Sequence, residues 1–189
     1  MLLNGVRKAA IATGRGSRGK GMEPIMAVSL RESLQQVSDP RNLDATVEEV
    51  FQLMLGVDCR RDLSPVDQNA KEPESVTAVV GFGGLLRGAC VFTCGRLTAM
   101  RIAAQMTGMV FQEIDDTVKD GIGEICNMLA GAWKGKVPEL AANCGLSVPA
   151  VITGRDYRLH VQAPEFQLHH QYRFETSGFA VTIVCDGLQ

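Results

Sequence analysis

The chain has 189 residues, 46% of them apolar and 21% charged, with a formal net charge of −2. That length and apolar content suit one well-buried domain, and the near-neutral balance excludes bulk nucleic-acid binding as the expected activity. No apolar run approaches the roughly 18 residues of a membrane span. Arg7 and Lys8 also break any signal-like stretch at the start. A cytoplasmic protein with no membrane association is expected.

Residues 1–26 stand apart from the rest. Arg7, Lys8, Arg15, Arg18 and Lys20 occur there with no acid before Glu23, and Gly14, Gly16, Gly19 and Gly21 loosen the backbone. The segment reads as a flexible basic tail, and Met22 or Met26 is an alternative start. Residues 27–189 read as a single domain. Gly14-x-Gly16-x-x-Gly19 matches a dinucleotide fingerprint and Gly14-x4-Gly19-Lys20 nearly matches a phosphate loop. The first lacks a strand–turn–helix context, and Gly21 stands where the second needs a hydroxyl, so neither is read as a nucleotide site.

The first ordered element is a helix over 44–55, with Val47, Val50, Phe51 and Met54 at helical spacing. Residues 58–74, with Pro65 and Pro73, form a polar loop. Residues 75–80 are a β-branched strand, Gly81-Phe-Gly-Gly84 a turn and 86–93 the returning strand of a hairpin. A helix over 96–106 follows. Its Met and Ala residues are core packing.

The next helix, over 116–134 with Asp115 or Asp116 as N-cap, carries the most information. At roughly 100° per residue, Val118, Ile122, Ile125, Leu129 and Trp133 fall on one stripe. Asp120, Glu124, Asn127, Gly131 and Lys134 fall on the opposite side. Glu124 and Asn127 are three apart, so both can reach one point on a partner. Asn gains the helix little, and Gly121, Gly123 and Gly131 weaken it by roughly 1 kcal/mol each relative to Ala. Spacing alone also fits an ordinary solvated face with an incidental Asn.

After a short helical turn over 138–142, residues 146–153, 157–161, 166–175 and 179–186 read as strands, with Ser177-Gly178 as a hairpin turn. Helices grouped beside paired strands predict an α+β fold: a mostly antiparallel sheet with long helices packed on one face. Cys59, Cys90, Cys94, Cys126, Cys144 and Cys185 read as free, largely buried thiols. Cys90-x3-Cys94 finds no second ligand pair, so no metal site is expected. His160, His169 and His170 are read as solvent-facing or edge-strand residues. His169 and His170, adjacent in a strand, must point to opposite faces.

Asp120, Glu124 and Asn127, with Pro149 twenty-two residues beyond Asn127, resemble the signature of the CheC/CheX/FliY chemotaxis phosphatases. The resemblance covers residues 27–187, and the single copy is similar to CheX. Asp44 and Glu48 repeat the acidic spacing, but Phe51 stands where Asn is needed, so one working site is expected. The resemblance implies a CheX/CheC-like fold and hydrolysis of the aspartyl phosphate on a CheY-like receiver domain. It implies that Asn127 orients the attacking water and Glu124 pairs with the receiver's lysine. Asp120 and Lys134 support the contact, Gly123 and Gly131 keep the surface low, and Pro149 shapes the adjoining loop. It implies no cofactor on this chain, Mg2+ on the phosphorylated receiver, and a homodimer through sheet edges, for which Val181-Thr-Ile-Val184 offers an apolar strand. The competing expectation is a catalytically inactive binding or scaffold module.

Overall fold

The structure is a computed structural model that describes residues 35, 38–64, 74–155, 157 and 165–188. The basic tail with its glycine motifs, the strand expected at 157–161, His160, Pro65 and Pro73 lie outside the described residues, apart from Tyr157.

Helix α1 spans Pro40–Leu55. It starts four residues earlier than the apolar period suggests because Asp39 and Pro40 make a cap. The Asp39 carboxylate accepts from the Arg41 N–H, and proline at the first turn lacks only an N–H that would be unsatisfied anyway. Gly56, at φ 66°, closes the helix in the left-handed conformation. Helix α2 spans Arg96–Thr107, α3 Asp116–Gly135 and α4 Pro138–Asn143. Asp115 caps α3 by accepting from the Val118 N–H at 2.9 Å.

The strands are β1 (Arg60–Arg61), β2 (Ser75–Gly84), β3 (Leu86–Gly95), β4 (Cys144–Leu146), β5 (Ala150–Gly154), β6 (Phe166–Phe174) and β7 (Ser177–Leu188). They form one antiparallel sheet in the order β1-β6-β7-β3-β2-β4, with β5 also paired to β2. The α+β expectation holds. Alternate residues face the helices: Val76, Ala78, Val80 and Phe82 on β2, Cys90, Phe92 and Cys94 on β3, and Phe179, Val181 and Ile183 on β7 are all buried. Phe51 of α1 stacks on Phe179 with ring centres 4.4 Å apart. Val118, Ile122, Ile125, Leu129 and Trp133 of α3 are buried, as the helical period requires.

Several local expectations are corrected. Gly81–Gly84 is strand, with Gly81 paired to Ala89 and Phe82 to Gly88. Period-2 burial continues through the glycines because Phe82 packs on Trp133, ring centres 5.4 Å apart. The chain reverses after Gly84, whose φ of 104° suits glycine. Gly88 is needed for approach: a Cβ there would stand 2.0 Å from the Val184 carbonyl oxygen, beside a bulge between Arg87 and Gly88. The β6–β7 turn is Glu175-Thr176 rather than Ser177-Gly178. Arg101 of α2 holds it by donating to Thr176 Oγ1 and Ser177 Oγ. The strand expected over 146–153 is split by Ser147–Pro149, and the two-residue β1 lies inside the expected polar loop.

Two further corrections concern β6 and β7. Strand β7 is bonded to β6 on one side and β3 on the other, so Val181–Val184 cannot pair across chains. His169 and His170 do face opposite ways, but only His169 is exposed. His170 is buried and sits 2.7 Å from Asp44 Oδ1, which also accepts from the Tyr172 hydroxyl at 2.8 Å. Arg61 reaches the other Asp44 oxygen at 3.4 Å. A buried histidine is tolerated here because a carboxylate from α1 meets its ring.

Candidate functional site

Helix α3 lies across β2 and β3. The Cys126 thiol sits 3.5 Å from the Ala78 and Cys90 carbonyl oxygens. Hydrogen bonding to Cys126 and burial push the Cys90 thiol well above its usual pKa. Burial raises Cys59 and Cys185 to about 12. All six cysteines are free and buried, so the thiols are packing groups. Asn127 directly follows Cys126, so the same turn that anchors the helix presents the amide.

On that face Asp120 and Glu124 are exposed and Asn127 is half-buried. No side-chain hydrogen bond or ion pair ties Glu124 or Asn127 to any described residue, whereas Asp116, Lys119 and Lys134 on the same helix are engaged. Asp116 pairs with Lys119 at 2.9 Å, and Lys134 Nζ donates to the Ala141 carbonyl at 3.1 Å. Lys134 is therefore committed to α4. Gly131 is half-buried beneath Leu146, whose Cδ1 lies 3.8 Å from the place a Cβ would take.

Pro149 reaches the site from the loop between β4 and β5. A Cβ on Gly123 would lie 3.4 Å from Pro149 Cβ and 3.4 Å from Val151 Cγ2. Gly123 is buried by its own chain, so its missing side chain admits Pro149 instead of lowering a partner-facing surface. Gly123 is one turn before Asn127 and adjacent to Glu124, so Pro149 packs on the same stretch of α3 that carries both. The loop is fixed from its other end by Ser147. Its Oγ accepts from the Gly81 N–H at 2.8 Å and its N–H donates to the Gly81 oxygen at 2.9 Å. Sequence reasoning missed Ser147, since nothing in the local pattern marks a partner in β2.

The acidic spacing on α1 builds no second site. Asp44 is held by His170, Tyr172 and Arg61, and Phe51 is fully buried. Only Glu48 remains exposed. Among the described residues no group of three or more His, Cys, Asp or Glu is placed to hold a metal ion. No described helix is long and apolar enough to cross a membrane. A cleft of about 480 Å³ lined by Gly56, Cys59, Arg60 and Arg173 lies at the opposite sheet edge from α3. A second cleft of about 360 Å³, lined by Gly81, Phe82, Leu146 and Ser147, lies at the start of the β4–β5 loop. Asp120, Glu124 and Asn127 themselves form a ridge along α3, suited to a macromolecular surface.

These features define an α+β domain whose surface helix presents an acid and an amide on one ridge, walled by a proline loop. The family model described as chemotaxis phosphatase CheX matches residues 76–171, and the chain belongs to that family. Over 125 residues it is 26% identical to the CheY-P phosphatase CheX of Thermotoga maritima, covering 64% of this chain and 81% of that protein. Chemotaxis protein CheX from Vibrio vulnificus has the same fold, with a TM-score of 0.64 at 18% identity over 79% of this chain and 99% of that one. So does the CheX–CheY–BeF3–Mg2+ complex from Borrelia burgdorferi, with a TM-score of 0.57 at 17% identity over 77% and 96%.

Proposed function

We propose that this protein hydrolyses the aspartyl phosphate of a CheY-like receiver domain, with Asn127 and Glu124 as the working side chains. The observation that carries this reading is that both stand on the wet ridge of α3, three residues apart, without a partner among the described residues. The name of the Thermotoga relative and the composition of the Borrelia complex support the substrate class.

Aspartyl phosphate is an acyl phosphate, and its hydrolysis needs chiefly a placed water and compensation of charge. The Asn127 amide accepts and donates hydrogen bonds without adding negative charge beside the phosphoryl group, which suits it to hold the water in line. Glu124 supplies a carboxylate that meets the receiver's lysine and sets the register of docking. Asp120, one turn before Glu124, extends the acidic ridge. Pro149 limits how far the base of the ridge can shift. Magnesium belongs to the receiver in this reading, where it neutralises phosphoryl charge. A cytoplasmic location and a homodimer through a sheet edge complete the reading.

The test is the decay of a phosphorylated receiver from the same genome, with wild type, Asn127→Ala and Glu124→Ala. Loss of the amide should lower turnover by roughly 10²-fold with binding largely kept. Loss of Glu124 should weaken both. Near-normal turnover by Asn127→Ala would remove the role given to that residue. Binding without any acceleration by the wild type would leave a scaffold module.

A further inference from the structure

We infer that Val148 is a receiver-contacting residue that sets affinity for the phosphorylated partner, an inference that rests on the function proposed above. The residue sits between two anchors. Ser147 on one side is tied to Gly81 through both its hydroxyl and its backbone N–H. Pro149 on the other side is seated on Gly123 and next to Val151. The backbone between those anchors has little freedom, because proline fixes its own φ and restricts the residue before it. Yet Val148 is 86% exposed, the largest exposure among the exposed large apolar residues of the described chain.

Nothing in the fold requires valine there. A β-branched side chain gains nothing from a loop position in water, and the ladder is interrupted at this point. Pro149 is seated on the residue just before Glu124, so the exposed Val148 side chain stands one residue along the chain from that contact. Polar groups on a ridge fix register, while affinity comes from apolar contacts that exclude water around them. Val148 is the apolar group that the Pro149 wall carries to the edge of this site. A receiver docked on Glu124 and Asn127 meets it next. The partner surface that matches is an apolar or small-residue patch bordering the receiver's phosphorylation pocket. Because both anchors are rigid, the contact loses little ordering entropy on docking.

The experiment measures two quantities for the full-length protein and a CheY-like receiver of the same genome. One is the Kd for the receiver loaded with BeF3− and Mg2+. The other is kcat and KM for the phosphorylated receiver. The variants are Val148→Ser, Val148→Asp and Val148→Ile. The control is Leu63→Ser, an equally exposed apolar residue, 81% accessible, beside β1 at the far sheet edge. Val148→Ser should raise Kd and KM roughly tenfold with kcat held, and Val148→Asp should raise them further. Val148→Ile should restore wild-type affinity, and Leu63→Ser should leave it unchanged. Melting temperatures should not move, because the side chain packs on little. An unchanged Kd in Val148→Asp, with the wild type active, would overturn the inference and leave the phosphatase reading standing. So would a fall in kcat at constant Kd, since that would make the residue a support for Asn127. A wild type that neither binds nor dephosphorylates any receiver would remove both.

Discussion

The seat of Pro149 on Gly123 gives a graded test of how the site is supported. Alanine at 123 would place its Cβ 3.4 Å from both Pro149 Cβ and Val151 Cγ2, at the near limit of ordinary contact. Against that mild crowding stands the helix gain of about 1 kcal/mol for replacing an interior glycine. Gly123→Ala should therefore melt close to the wild type. Valine adds two γ-carbons about 1.5 Å farther out. In a helix its χ1 is nearly fixed, so it cannot turn both away from the loop. Overpacking of this kind costs about 1–3 kcal/mol, which for a chain of this size lowers Tm by roughly 2–12 °C. Turnover at 25 °C should fall further than the stability loss explains, because relief comes most easily by lifting Pro149 from the ridge. Gly121→Val is the matched control. A Cβ on Gly121 meets Met106 Sδ at 3.6 Å and Ala103 Cβ at 3.7 Å, both on α2 and away from the Pro149 loop, so its cost should fall on Tm alone. Thermal melts and phosphorylated-receiver decay, run on the same samples, separate the two effects. Wild-type melting and turnover in Gly123→Val would refute the claim that this contact shapes the site.

Removing the Asp44 carboxylate should act on stability alone. Asp44→Ala strips the acceptor from buried His170 and Tyr172, which lie 3.2 Å apart and can satisfy each other only in part. A loss of about 1–3 kcal/mol is expected in denaturant unfolding, with receiver turnover unchanged well below Tm. Unaltered stability would show the network to be incidental. Asp62 supplies a pH signature. Hydrogen bonds from Ser64, and then from Arg173 at 2.6 Å, hold its carboxyl down from 3.8 to about 2. The folded pKa is depressed, so this carboxylate favours the folded state above pH 3.8 and loses that influence as pH falls through about 2. A carbon-detected NMR titration should find Asp62 ionised at pH 3. Titration at the ordinary value would mean that the hydrogen bonds from Ser64 and Arg173 do not persist in solution.

The helices were readable from sequence because their information is local. The stripe from Val118 to Trp133 and the cap at Asp115 lie within a turn or two of what they control, whereas the Asp39-Pro40 start, which precedes the apolar period, was missed. The acid and amide of the site were legible for the same reason, as both stand on one helix. What escaped the sequence depends on partners far along the chain. Asp44 and His170 are 126 residues apart, and the burial of that histidine is decided by a helix it cannot anticipate. Ser147 and Gly81 are 66 apart, so the interruption between β4 and β5 looks like continuous strand until β2 is in place. Gly81 to Gly84 has the composition of a turn. Burial of Phe82 against Trp133 overrides that composition. Likewise Val181 to Val184 has the composition of an adhesive edge, and only the strand order reveals it as the interior of the sheet.

The ring at Phe51 has a consequence for descent. Placing an amide there would remove a face-to-face aromatic contact, at about 3–5 kcal/mol, and would strand a polar group in the core at roughly a further 1–3 kcal/mol. Such a loss is comparable with the whole stability of many domains. A lineage carrying this ring cannot acquire a second active helix through one replacement, because the first step would unfold much of the population. The neighbourhood of Phe174 and Phe179 would have to be rebuilt beforehand. Packing thus confines the acid-and-amide pair to α3, because α1 cannot acquire its own amide without first losing the ring that holds it to the sheet.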